Sequence, residues 1–253
     1  MFYNLGDATR YGGSGTEDSE LDGRERLLSF YELFPFERHP LWEGVLKGEL
    51  PLDAILRAEV QHYLRTREGQ PLRLAALQSV RTSSPRIFKV LLETYLEECI
   101  GEGLHPSHLV LIERLLLGGG IPVSALADAP PTLGNALAIA MYRDISRRGA
   151  GCHMLGAGAV EFYYSQLAPK IFRAYTQIYG MSAEQAETYA IHGPMDREHA
   201  DRAFRVLQEA VALHGWSAIE ASARDAFAAT SLHYDGMLEA ATGNVLFWNG
   251  GTR

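Results

Sequence analysis

From Arg24 onward, apolar residues recur at three- and four-residue intervals, as in Leu52, Ile55, Leu56, Val60 and Tyr63, then Leu72, Leu74, Leu77 and Val80. That spacing returns side chains to one face of an α-helix and predicts helices that bury a single stripe. Segments with the same period run over about 85–99, 107–117, 132–146, 151–178, 183–214 and 217–241. Breakers separate them, among them Ser83-Ser84-Pro85, Gly118-Gly119-Gly120 and Ala129-Pro130-Pro131. No stretch alternates apolar and polar positions as a half-buried strand requires. Residues 1–23, rich in Gly, Ser and acids and without an apolar period, predict a flexible N-terminal arm. With no internal repeat and no low-complexity linker, residues 24–253 predict an all-α fold, a single bundle of about seven helices.

Composition narrows the function. At 253 residues and 47% apolar, the chain has enough material for a substantial core, which excludes a wholly disordered protein. Its 23 Lys plus Arg against 31 Asp plus Glu give a net charge of −8, so neither nucleic-acid phosphates nor anionic lipid find a basic surface. No apolar run approaches the roughly 18 residues of a membrane span, and the N-terminus lacks the basic-then-apolar pattern of a signal peptide. The expected location is the cytoplasm. Cys99 and Cys152 have no CxxC partner and read as reduced, buried thiols.

Three clusters could carry chemistry. In His192-Gly-Pro-Met-Asp196-Arg-Glu-His199, offsets of four and seven place His192, Asp196 and His199 on one helix face. Two imidazoles and a carboxylate so aimed suit a borderline divalent metal such as iron, manganese or zinc. Pro194 predicts a kink or a fresh helix start there. The competing reading is a solvated face, because Arg197, Glu198, Asp201 and Arg202 share the segment. The second cluster is Glu98-Cys-Ile-Gly-Glu-Gly-Leu-His105-Pro-Ser-His108. A straight helix would leave Glu98 and His108 about 80° apart, so the break at Gly101, Gly103 and Pro106 is needed to bring them together, with Ser107 capping the next helix. His105 competes with His108. The third is Glu161, a lone carboxylate after ten uncharged residues and before Phe162, Tyr163 and Tyr164. Buried in that setting it requires a cation or a partner. His62, His153, His214 and His233 read as ordinary core or surface histidines.

The order Glu98, His108, Glu161, then HxxxDxxH over His192, Asp196 and His199, resembles the haem-oxygenase-like di-iron oxidases, also called iron-containing redox enzymes. The likeness covers about residues 38–240 and includes His39-Pro-Leu-Trp42, Glu97-Glu98 and Tyr164-Ser-Gln-Leu-Ala-Pro169. It implies a seven-helix haem-oxygenase-like bundle in which Glu98, His108, Glu161, His192, Asp196 and His199 hold two Fe(II), with Mn as an alternative, and O2 as co-substrate. It implies oxidation of a small molecule, amino-acid-derived and of specialised metabolism, by desaturation, C–C cleavage or N-oxidation. Some members carry a further carboxylate about 26 residues before the first Glu. That position here is Leu72, with Gln70 and Glu68 nearby. Sister families on this fold, thiaminase II and the pyrroloquinoline-quinone synthase, lack the metal box, so the alternative is a metal-free hydrolase or cofactorless oxidase. Tyr63, Phe162, Tyr163 and Tyr164 are the expected substrate wall. A homodimer is the candidate assembly, and metal loading is expected to fall as the histidines protonate below about pH 6.

Overall fold

Helices form where the apolar period places them. The structure, a computed structural model, describes residues 15–102 and 105–251, with side chains from Asp22 onward except those of Glu102 and His105. Its helices are α1 (Gly15–Leu28), α2 (Pro40–Lys47), α3 (Leu52–Ser79), α4 (Pro85–Tyr95), α5 (His108–Gly118), α6 (Leu133–Arg147), α7 (Ala150–Gln177), α8 (Glu187–Phe204), α9 (Leu207–His214) and α10 (Trp216–Thr242). The described residues thus hold ten α-helices where the sequence predicts seven. Two of the additional three are short or early. The eight-residue α2 is fixed by its ends: His39 Nδ1 accepts the Leu41 N–H at 3.1 Å, Pro40 takes the first position, and Gly48 closes with φ 73°. α1 starts inside the segment read as an arm, and its Gly23 is buried against Leu207 and Trp216. Residues 1–14 lie outside the described residues. The third comes from the 183–214 segment, which breaks at Arg205-Val206 into α8 and α9.

One small departure from all-α bears on the site. Gly101–Glu102 (β1) and His105–Pro106 (β2) pair antiparallel between α4 and α5, Gly101 opposite Pro106 and Glu102 opposite His105.

The long helices pack around α7 and α10: α7 lies against α8 and α10, and α10 against α6 and α3. α7 and α8 approach closely because glycine sits at the crossing. A Cβ on Gly158 would stand 2.8 Å from that of Ala203, and one on Gly193 would stand 2.9 Å from Cγ of Pro169. That approach sets Glu161 of α7 beside the inward face of α8. Leu27, Phe36, Trp42, Ile55, Ile112, Tyr175 and Phe227 are sealed in the core. Pro194 does not start a new helix, because α8 continues through it with the ring on the exposed side. Cys99 is half-buried and Cys152 buried, both free thiols whose pKa burial raises. No helix among the described residues is long and apolar enough to cross a membrane.

Candidate metal centre

α4 ends in a widened turn, Leu96–Ile100, with π-helical geometry, terminated by Gly101 at φ 86°. Such a turn re-aims two adjacent side chains. Glu98 turns inward and is buried, whereas Glu97 faces α8, where it accepts from His199 Nε2 at 2.9 Å and Arg202 Nη1 at 3.1 Å. The β1–β2 hairpin then folds the chain back so that His108, first residue of α5, places Nδ1 3.0 Å from Glu98 Oε2. Ser107 takes the capping position with extended backbone but makes no side-chain cap bond. The hairpin closes the ten-residue gap that a straight helix would leave open. His105 lies in β2, and its side chain is outside the described residues.

On α8, His192, Asp196 and His199 are all buried, while Arg197 and Glu198 between them point to solvent. The HxxxDxxH face is therefore an interior face and not a solvated one. His192 donates from Nδ1 to the Thr188 carbonyl at 2.5 Å, which turns Nε2 toward Glu98 Oε1, 3.4 Å away. His199 is held through Nε2 by Glu97, so its Nδ1 faces inward, 4.0 Å from Glu98 Oε1, 3.9 Å from Asp196 Oδ1 and 3.9 Å from Glu161 Oε2.

All six candidate residues thus converge, and Glu98 is common to two donor groups. Glu98, His108 and His192 form one, and Glu98, Asp196 and His199 the other, with the ligating atoms of each within 4.8 Å of one another. Glu161 stands at the edge of the second. His108 Nε2, His192 Nε2 and His199 Nδ1 are buried without a hydrogen-bond partner. Three orphaned ring nitrogens around clustered carboxylates are what a cation site looks like, because buried polar atoms otherwise find partners.

The electrostatics agree. Burial, then repulsion from Glu161 and Glu98 against the pull of His192 and His199, pushes Asp196 up to about 8. Burial and the charge of Glu98 likewise raise Glu161. Burial opposes charge on His192, but Asp196 and Glu98 outweigh it and raise that imidazole to about 9. Glu98 is held well below the usual carboxylate range, burial being outweighed by Arg73 and His108. Burial and His192 together hold His108 well down. Protons and Arg73 therefore neutralise a cluster whose donors suit divalent iron or manganese.

Arg73 of α3, whose Nη2 sits 3.1 Å from Glu98 Oε2, is a functional neighbour that sequence reasoning missed. Its only signal was adjacency to Leu72, the position where some relatives carry a carboxylate. Glu68 pairs with Arg67 and Arg143, each at 3.7 Å, and belongs to neither donor group.

A cavity of ≈ 120 Å³ opens beside the cluster. Tyr164 lines it, but Tyr63, Phe162 and Tyr163 do not, which corrects the expected substrate wall. The reason is helical phase: successive residues turn by about 100°, so Glu161 and Tyr164 share a face that Phe162 and Tyr163 cannot. Phe162 instead lies under Arg197 and Arg24, Tyr163 stacks on Tyr31 at 3.8 Å, and Tyr63 is buried under Arg67. His62, His153 and His233 also line the cavity. Each is already partnered, by Glu59 at 3.0 Å, Ser146 at 2.7 Å and Asn135 at 2.9 Å respectively, and burial lowers all three, His153 to about 4. His214 accepts from the Gly151 N–H outside the cavity.

Residues 59–233 match the family described as iron-containing redox enzyme. No curated protein matches the chain. Among solved structures, the chain is similar to a CADD-like protein of unknown function from Nostoc punctiforme PCC 73102, with TM-score 0.68, 15% identity and coverage of 90% of this chain and 100% of that one. It is also similar to a domain of unknown function with a haem oxygenase-like fold from Shewanella denitrificans OS217, with TM-score 0.65, 15% identity and 88% and 90% coverage. A third likeness is to a protein from Sulfolobus solfataricus P2 whose name reads "putative tena-like thiaminase", with TM-score 0.58, 13% identity and 93% and 99% coverage. At these identities the structural likeness shows the fold alone, which is haem-oxygenase-like.

Proposed function

Because the chain belongs to the iron-containing redox enzyme family, we propose that it is a non-haem di-iron, O2-dependent oxidoreductase acting on a small molecule. The observation that carries this reading is Glu98, a single buried carboxylate common to two donor groups and surrounded by three unpartnered imidazole nitrogens. A carboxylate so placed suits two adjacent cations. Glu98, His108 and His192 would hold one, and Glu98, Asp196 and His199 the other, with Glu161 completing the set.

The chemistry that a ferrous pair supplies when bound is reduction of O2 coupled to oxidation of the substrate by desaturation, C–C cleavage or N-oxidation. The protein's own contribution is orientation of the ligating rings. The Thr188 carbonyl fixes the His192 ring, and Glu97, itself anchored by Arg202, fixes the His199 ring. Arg73 offsets the Glu98 charge, a role that bound cations would share. Ala157, Val160 and Tyr164 of α7 line the cavity beside the cluster.

The test is anaerobic ferrous loading of the full chain, with iron per chain and O2 uptake measured together. Two irons per chain and O2 uptake that a chelator abolishes are expected. Substrate turnover undiminished in chelator would sink the reading in favour of a metal-free hydrolase or cofactorless oxidase.

A further inference from the structure

One cation in the cavity has no counter-charge. On α3, His62, Arg65, Thr66, Gly69, Leu72 and Arg73 fall on one helical face and line the cavity, with Glu68 at its edge already paired with Arg67 and Arg143 at 3.7 Å. Arg73 is paired with Glu98. Arg65 is not: its Nε is buried without an acceptor, and it makes no ion pair or hydrogen bond among the described residues. Its neighbour is the Tyr142 ring, whose centre is 5.7 Å from the guanidinium carbon. Thr66 Oγ1 is also buried and unpartnered.

The polar groups close to Arg65 are already committed. Tyr142 OH lies 2.6 Å from Thr230 Oγ1, and Thr230 donates onward to the Ala226 carbonyl. The only buried carboxylate on this stretch of α3, Glu59, accepts from Tyr175 and Tyr189 and pairs with His62. Arg65 is half-buried, with its Nε enclosed at the cavity and left without an acceptor, and a bound anion is the remedy that the fold itself does not supply.

We infer that Arg65, with Thr66 beside it, is the anchor for the carboxylate of a small organic acid whose body lies in the cavity toward Glu161 and the α8 residues. The planar guanidinium matches a carboxylate in two parallel hydrogen bonds. The remaining walls select the body: Trp42, Ile139, Val160 and Met237 are apolar, and ≈ 120 Å³ is on the order of a cavity that takes one benzene ring. Those walls disfavour a multiply charged anion such as inorganic phosphate. What then happens to the bound acid rests on the di-iron reading, but the anchoring does not.

The experiment uses the chelator-treated full chain, so that no metal can hold the anion, and titrates benzoate, isobutyrate, benzamide and inorganic phosphate by calorimetry. At least one acid should bind, with benzoate preferred over its neutral isostere benzamide by about tenfold or more, the size expected for a charge-assisted hydrogen bond. In Arg65→Met and Arg65→Gln that preference should collapse while the melting temperature holds or rises, because an uncompensated charge has been removed. Failure of both acids to bind, equal binding of benzoate and benzamide, tighter binding of phosphate, or a preference that survives both substitutions would overturn the assignment. So would a fall in melting temperature for both variants, which would make Arg65 structural. Iron per chain is measured on separate aliquots of wild type and variants after anaerobic ferrous loading. Normal iron without an Arg65-dependent preference would defeat this inference alone, and the reverse result would defeat only the di-iron reading.

Discussion

Two buried carboxylates near the cavity have opposite surroundings. Glu59 is fully enclosed and saturated with neutral donors: the hydroxyls of Tyr175 and Tyr189, each at 2.5 Å, and Nδ1 of His62 at 3.0 Å. Burial and Glu59 together hold both phenols protonated. Glu98 is also buried, but it faces Asp196 and Glu161, one cationic arginine and imidazoles with ring nitrogens left over. His62 and His108 touch edge to face, with ring centres 5.2 Å apart, so the two settings adjoin. The contrast separates a polar group that completes the fold from groups the fold leaves incomplete. A saturated carboxylate stabilises the native state. A crowd of like charges with orphaned imidazoles costs stability that a bound cation recovers.

The sharpest break in this contrast is Glu98→Ala, which removes the group common to both donor sets. Both irons and all O2 uptake should be lost while far-UV circular dichroism stays helical; one iron retained per chain would show that Glu98 is not shared. Next comes Glu59→Ala, which orphans two phenols and an imidazole. Urea unfolding of the metal-free protein should show a loss of about 3 kcal/mol or more. Glu161→Gln, which relieves repulsion, should leave metal-free stability unchanged or improved. Equal destabilisation by both substitutions would erase the distinction between the two regions.

Smaller effects test how the donors are aimed. Glu97→Gln keeps the shape but weakens the hold on His199, and iron affinity should drop about tenfold to a hundredfold with the fold intact. An unchanged affinity would leave Glu97 as merely the partner of Arg202. The smallest effect is pH dependence. Burial raises Asp196 to about 8, and the charges of Asp196 and Glu98 outweigh burial to raise His192 to about 9, so the pair keeps protons to higher pH than a free carboxylate and imidazole would. Metal must displace those protons, so loading should strengthen as pH rises from 6 and level off above about 9, by roughly tenfold per unit for each proton displaced. Proton release on ferrous binding in weakly buffered solution measures this directly. A plateau already reached at pH 6.5 would show that neither group is raised.

That pH window lies above the one expected from free imidazole, which shows where sequence reading stops. The HxxxDxxH spacing was legible because the helix imposes a fixed angle per residue, and the same angle shows why Phe162, Tyr163 and Tyr164 could not form one wall. The gap from Glu98 to His108 was legible as a break. Its form was not, because a widened turn and a two-residue strand pair arise from packing between α4 and α5 and leave no periodic trace.

The sequence by itself determined the helical class, the positions of the long helices, the residues able to ligate a metal and the one helix face that three of them share. Each of these follows from local backbone geometry and side-chain chemistry. Only the tertiary structure decided that Glu98 is common to two donor groups, that Arg73 is paired with it while Arg65 has no ion pair among the described residues, and that burial and neighbouring charge raise Asp196 and His192. Charge balance in a buried cluster is summed over α3, α4, α5, α7 and α8. Two arginines eight residues apart on α3 look alike until the carboxylate beside one, and absent from the other, is folded into place.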